Sequence, residues 1–217
     1  QVRGAGTNTD GLVSGGQDFG GTPGVYDNTE TWNGTSWTEV ADLNTARKHQ
    51  GTAGTSSTAS LAFGGTLAPE AATADTELWN GSSWAEQNNL STTRTELNGA
   101  GTSTLGLAFG GTPPVTGATE EWEGAGAAVN AWATGRDMNT ARNSTTAVGT
   151  QNASLCIAGF TPPYTAIVEQ YDGTSWTEIA DINTARSSAA SAGTTSAAII
   201  FGGHSDRTVN ELWNGSS

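Results

Sequence analysis

The sequence predicts an all-β chain that folds as a five-bladed β-propeller whose last blade lacks its outer strand. Two landmarks recur five times in the same order along the chain. A hydrophobic run ends in Gly-Gly or a close variant at Gly16, Gly65, Gly111, Phe160 and Gly203. An aromatic residue then precedes a turn at Trp32, Trp79, Trp122, Tyr171 and Trp213, with spacings of 47, 43, 49 and 42 residues. Such a period is typical of propeller blades.

The composition favours short strands and tight turns over helices. The 217 residues include 30 Gly, and only 13% are charged. Five repeats account for nearly the whole length, so we expect one domain with no linker. The expected blades span about 1–46, 47–93, 94–141, 142–185 and 186–217.

The second repeat shows how one blade is expected to fold. Residues 51–58, GTAGTSST, are small and suit an innermost strand, where neighbouring backbones crowd together. Residues 60–65 form the apolar second strand and 76–79 the third. Asn80-Gly81 supplies a tight turn, and Trp84 begins the outer strand.

Three further residue types recur in the same register and indicate structural roles. Four tryptophans that begin outer strands are expected to pack between adjacent blades: Trp37, Trp84, Trp132 and Trp176. Five glutamates match five arginines in number, and we expect bidentate pairing from blade to blade. The glutamates are Glu30, Glu77, Glu120, Glu169 and Glu211, and the arginines are Arg3, Arg47, Arg94, Arg142 and Arg186.

The order Gly-Gly, aromatic residue, then Trp about five residues later resembles the kelch repeat, over the whole chain. The phrase WNGTSWTEVADLNTAR at 32–47 is similar to kelch-like repeats in structural and fibre proteins of marine bacteriophages. This resemblance implies attachment to a host surface and a virion or extracellular location. It brings no catalytic residues to assign.

Charge and residue counts narrow the possible functions. A formal net charge of −13 disfavours binding to nucleic acid or to an anionic membrane. No apolar run is long enough for a membrane-spanning helix. With only His49 and His204, a three-histidine zinc site is impossible, and HExxH and GxSxG are absent. We therefore expect no metal, no cofactor and no enzyme activity, and a buried structural role for the single cysteine, Cys156.

Candidate ligand-binding residues lie in the loops between second and third strands, which vary while the scaffold repeats. Aromatic rings that could stack on a sugar are Phe19, Tyr26 and Tyr164, and side chains for directional hydrogen bonds are Asp18, Asp27, His204, Asp206 and Arg207. The sequence thus favours a non-enzymatic module that recognises a glycan or cell-surface receptor. A purely structural or assembly module is the alternative, followed by a hydrolase or oxidase and a protein-binding adaptor.

The fifth repeat predicts an unpaired sheet edge. It has three strands, and no Trp follows the last Asn-Gly. Because an exposed strand edge is normally covered, we expect a further chain or a neighbouring subunit to cover residues 209–213. A longer native polypeptide would serve the same purpose.

Overall fold

A computed structural model describes residues 2–18, 24–124, 131–204 and 208–216. The described residues form 21 strands and no helix, so the all-β prediction is confirmed. No described segment forms a helix that is long and apolar enough to cross a membrane. The chain divides into two compact units, one of residues 1–95, 102–106 and 122–133, the other of residues 96–101, 107–121 and 134–217.

The sheets have the five-bladed β-propeller arrangement that the repeats predict. Blade 1 comprises β1 (Arg3–Gly6), β2 (Gly11–Gln17), β3 (Val25–Trp32) and β4 (Trp37–Glu39). Blade 2 comprises β5 (Gly51–Ser56), β6 (Ala59–Phe63), β9 (Thr76–Trp79) and β10 (Trp84–Gln87). A small hairpin, β7 (Thr66–Leu67) and β8 (Ala71–Ala72), lies between its second and third strands.

The remaining blades repeat the same antiparallel order. Blade 3 comprises β11 (Asn98–Gly101), β12 (Leu105–Phe109), β13 (Thr119–Glu123) and β14 (Ala131–Thr134). Blade 4 comprises β15 (Thr146–Thr150), β16 (Ala153–Phe160), β17 (Tyr164–Tyr171) and β18 (Trp176–Glu178). In blade 5, the described residues form three strands, β19 (Ala190–Thr194), β20 (Ala197–Phe201) and β21 (Asn210–Trp213), as predicted.

Blade 2 shows why the small, apolar and turn residues stand where they do. A Cβ atom on Gly51 of the first strand would lie 2.3 Å from the ring of Phe63, which is itself fully buried. A larger side chain would therefore displace the second strand. At the following turn, the Oδ1 atom of Asn80 accepts hydrogen bonds from the backbone N–H groups of Ser82 and Ser83. The asparagine thus shapes the turn, as predicted.

Three of the four repeated tryptophans connect adjacent blades. The indole N–H groups of Trp84, Trp132 and Trp176 each donate to a threonine hydroxyl of the preceding blade at 3.0 Å. The acceptors are Thr29, Thr76 and Thr119. The predicted packing role is confirmed for these three. Trp37, in contrast, is 49% exposed.

Three of the five predicted Arg–Glu pairs are seen in the structure, and each of them lies within a blade. Salt bridges join Arg47 to Glu77, Arg142 to Glu169 and Arg186 to Glu211. In each pair the arginine precedes the first strand and the glutamate stands in the third strand of the same blade. The expectation of blade-to-blade, bidentate pairing was therefore wrong.

Backbone carbonyls explain why these pairs are not bidentate. One guanidinium nitrogen of Arg47 bonds the carboxylate of Glu77 at 2.6 Å, and another donates to the carbonyls of Gly64 and Asp75. The second carboxylate oxygen of Glu77 accepts the backbone N–H of Asn44 at 2.7 Å. Because Asn44 belongs to the segment leaving blade 1, the glutamate, and not the ion pair, links successive blades.

The single cysteine occupies a core position. Cys156 is fully buried in β16 and packs in a cluster with Phe109, Tyr171 and Trp176. Burial raises the pKa of its thiol, which keeps it in the neutral form. The prediction that Cys156 is a buried core residue is confirmed.

Candidate functional site

An aromatic pair stands at the start of the third strand of blade 4. Tyr164 is 39% exposed, and its ring lies 5.4 Å from that of Phe160, centroid to centroid. The two residues pair across the end of β16 and β17, beyond a β-bulge between Ile157 and Gly159. The predicted stacking residue Tyr164 is thus held on a strand end rather than on a free loop.

A row of hydrogen-bonded polar residues continues from this pair. Phe160 exchanges two backbone hydrogen bonds with Asn143, at 3.1 and 2.9 Å. The next residue, Ser144, donates its backbone N–H to the carbonyl of Glu96 at 3.0 Å and its hydroxyl to the Glu96 carboxylate at 2.9 Å. Ser188 donates its backbone N–H to the carbonyl of Ser144 at 2.7 Å. We call Glu96, Ser144 and Ser188 the polar row.

The polar row has an uncommon backbone conformation. Its residues have φ values of 55°, 51° and 52°, in the left-handed region that residues other than Gly seldom adopt. Each one stands two positions after a buried arginine that anchors the segment, namely Arg94, Arg142 or Arg186. All three residues of the row are half-exposed. The scaffold therefore fixes three backbone positions, which carry one glutamate and two serines.

The predicted residue His204 adjoins this row. It is exposed, and its backbone N–H donates to the carbonyl of Ser187 at 2.8 Å. Ser187 directly precedes Ser188. The structure thus connects His204 and Tyr164, which are 40 positions apart in the sequence, through one hydrogen-bonded row.

The chemistry of the row suits a ligand rich in hydroxyl groups. The second carboxylate oxygen of Glu96 and the hydroxyl of Ser188 have no hydrogen-bond partner among the described residues, so both can bond a ligand. The ring of Tyr164 offers a face for stacking. No group of three or more His, Cys, Asp or Glu suited to a metal occurs in the described ranges.

Two other predicted residues lie in the first unit. Tyr26, 39% exposed, donates its hydroxyl to the carboxylate of Asp18 at 2.9 Å, and this hydrogen bond raises the pKa of Tyr26. Asp27 is half-buried, and its backbone carbonyl accepts the N–H of Leu43. In the same unit, His49 has the φ value, 57°, of the polar-row residues. The remaining predicted residues, Phe19, Asp206 and Arg207, lie outside the described residues.

The sequence prediction missed the polar row. Its signal was present, because the second residue after each repeated arginine varies as His49, Glu96, Ser144 and Ser188. The sequence prediction places the variable part in the loops between second and third strands. In the structure, the segment that enters each first strand varies too.

Comparison with known proteins gives the class of the molecule. No protein-family model and no curated protein matches the chain. The solved structure of YjhT, a propeller, is similar with a TM-score of 0.78 at 11% identity, over 98% of this chain and 80% of that one. At this identity the likeness shows the fold alone. The kelch character of the repeats stays a prediction.

Proposed function

We propose that the chain is a non-enzymatic recognition module that binds a glycan or another hydroxyl-rich host-surface receptor at the polar row. The observation that supports this most directly is the row itself, one glutamate and two serines held in left-handed backbone. Such conformations cost free energy and concentrate at functional sites. An exposed tyrosine and an exposed histidine adjoin the row, as described above.

The proposed setting is a fibre or another surface structure of a virion or extracellular assembly. The resemblance of the repeats to those of marine phage structural proteins supports this setting. Binding through aromatic stacking and neutral or acidic hydrogen-bonding groups needs no basic surface, which agrees with the net charge of −13. No cofactor, metal or nucleic acid enters the proposal.

A glycan array with the purified chain tests the proposal. For any glycan that binds, Glu96→Gln, Ser188→Ala and Tyr164→Ala should each weaken binding about tenfold or more. The first removes the charge that strengthens the carboxylate hydrogen bonds, the second a hydroxyl group and the third a stacking face. The matched control is Thr174→Ala, an exposed residue in the turn after β17, at the opposite end of the strand that Tyr164 begins. This control should leave the affinity unchanged.

The alternative is a purely structural or assembly module. It is favoured by the buried arginines, glutamates and tryptophans that recur from blade to blade and serve packing. An array without binding, or binding unaffected by the three polar-row and tyrosine variants, would support the alternative and contradict the proposed site.

A further inference from the structure

Blade 1 has an open groove on one of its faces. The groove has a volume of about 410 Å³ and is lined by β1, by Thr7 and Asn8 of the following turn, by the first residues of β2, and by Trp32 and Trp37. The Trp37 ring lies 5.4 Å from that of Trp32, and its indole N–H has no hydrogen-bond partner among the described residues. A half-exposed tryptophan whose donor has no partner among these residues, beside an open groove, indicates a surface for a partner.

Blades 3 and 4 show how this tryptophan can be covered. At the equivalent position, the Trp132 ring packs edge to face with the ring of Phe63, with 4.8 Å between the ring centroids. Its indole N–H donates to the hydroxyl of Thr76. Trp176 packs on Phe109 in the same way, with 5.1 Å between the ring centroids, and its indole N–H donates to Thr119. Trp176 is only 5% exposed. Each phenylalanine comes from the second strand of the preceding blade and each threonine from its third strand.

We propose that the groove of blade 1 is the packing surface for one further blade of the same repeat type. This partner would present a phenylalanine from its second strand to the Trp37 ring and a threonine hydroxyl from its third strand to the Trp37 indole N–H. The inference rests on the covered tryptophans and is independent of the proposed glycan-binding function.

Two observations favour a further blade over a second copy of this chain. The alignment leaves a fifth of the YjhT chain unmatched, roughly the share of one more blade. In contrast, a net charge of −13 on each copy opposes self-association. Blade 5 has a similarly open face of its own, where Ile199, Phe201 and Leu212 are 37%, 40% and 79% exposed.

The test adds such a blade to the full chain. A copy of residues 47–91 is fused ahead of Gln1, so that Gln1-Val2-Arg3 takes the register of Thr92-Thr93-Arg94. The copy then brings its own Phe63 and Thr76 to the groove. Both proteins are labelled with 5-fluorotryptophan, and the Trp37 resonance, assigned with Trp37→Phe, is probed for solvent exposure. In the fused protein, Trp37 should change from half-exposed to protected, as Trp176 is.

The control fusion carries Phe63→Ser and Thr76→Val in the added copy only, and it should protect Trp37 less. The proposal is overturned if Trp37 stays exposed in the fusion, or if the added copy remains unfolded while the chain is folded. It is also overturned if Trp37 is already protected in the unfused chain. Sedimentation would then tell a dimer, with a second copy in the groove, from a monomer.

Discussion

Blade 1 and blade 4 carry the same repeated residues but use them differently. In blade 4, Glu169 is fully buried against Arg142, and Trp176 is 5% exposed. The blade 1 equivalents, Glu30 and Trp37, are both exposed. The position in the repeat thus defines which residues can pack or form ion pairs within and between blades. How far each residue is buried decides how much it contributes to stability. Matched substitutions in the two blades measure that difference.

The largest expected difference concerns the glutamates. Glu169→Ala should lower the free energy of unfolding by about 3–5 kcal/mol, because it leaves the Arg142 charge buried without its partner. It also removes the acceptor of the Asn139 backbone N–H. Glu30→Ala should change stability by about 0.5 kcal/mol or less. Urea unfolding followed by fluorescence compares the two, and equal losses would contradict the role of burial.

The tryptophans should show a smaller contrast. Trp176→Ala removes a buried ring that packs on Phe109, and a loss of about 3–5 kcal/mol is expected. Trp37→Ala removes a ring that is only half-buried, so about 1–2 kcal/mol is expected. Thermal unfolding of both variants provides the measurement. If Trp37→Ala is as damaging as Trp176→Ala, the groove of blade 1 is not open in solution.

A backbone difference between the two blades predicts a stabilising change. Blade 1 has Gly15 at a φ of 59°, where blade 4 has Ala158 at 57°. Since an alanine in the left-handed region costs roughly 1–2 kcal/mol, Ala158→Gly should raise the free energy of unfolding by about 1 kcal/mol. The reverse change, Gly15→Ala, should be destabilising, since its Cβ would lie 2.5 Å from the Arg47 carbonyl oxygen. A destabilised Ala158→Gly variant would show that the buried methyl group outweighs the strain.

The smallest effect concerns pH and the turn before the outer strand. In blade 4, the backbone N–H groups of Ser175 and Thr174 hold the pKa of Asp172 below its ordinary value of 3.8. A lowered pKa in the folded state gives stability that is present above the unfolded pKa and is lost as the pH falls through the folded pKa. Asp172→Asn should therefore reduce the urea midpoint at pH 7 but not at a pH below the folded pKa.

Blade 1 supplies the control for this pH effect. Asn33 makes the same two backbone hydrogen bonds, to Thr35 and Ser36, without an ionisable group. Asn33→Asp should therefore introduce the pH dependence that Asp172→Asn removes. A pH-independent difference between wild type and either variant would contradict the assignment to the carboxylate.

The sequence was sufficient to predict the sheets, because the Gly-Gly runs, the aromatic residues and the turns repeat in register. The sequence was not sufficient to predict that Trp37 and Glu30 are exposed. The same residue types are buried in other blades, and only their neighbours differ. Nor did the sequence show whether each arginine pairs with the glutamate of its own blade or of the preceding one. Arg47, for example, lies close enough in sequence to both Glu30 and Glu77. The variation after each repeated arginine was visible in the sequence, but the left-handed backbone at Glu96, Ser144 and Ser188 was not, because no glycine marks it.

The glutamate that links successive blades also bears on how such a chain can grow. The carboxylate of Glu77 accepts a hydrogen bond from the arginine of its own blade and another from the segment arriving from the preceding blade. Glu169 and Glu211 accept the equivalent bonds, in which the arriving residues are Asn139 and Asn183. The repeats of blades 2, 4 and 5 therefore each carry the residue that binds the segment arriving from the preceding blade. A duplicated copy of such a repeat would bring with it the contacts that join it to its predecessor.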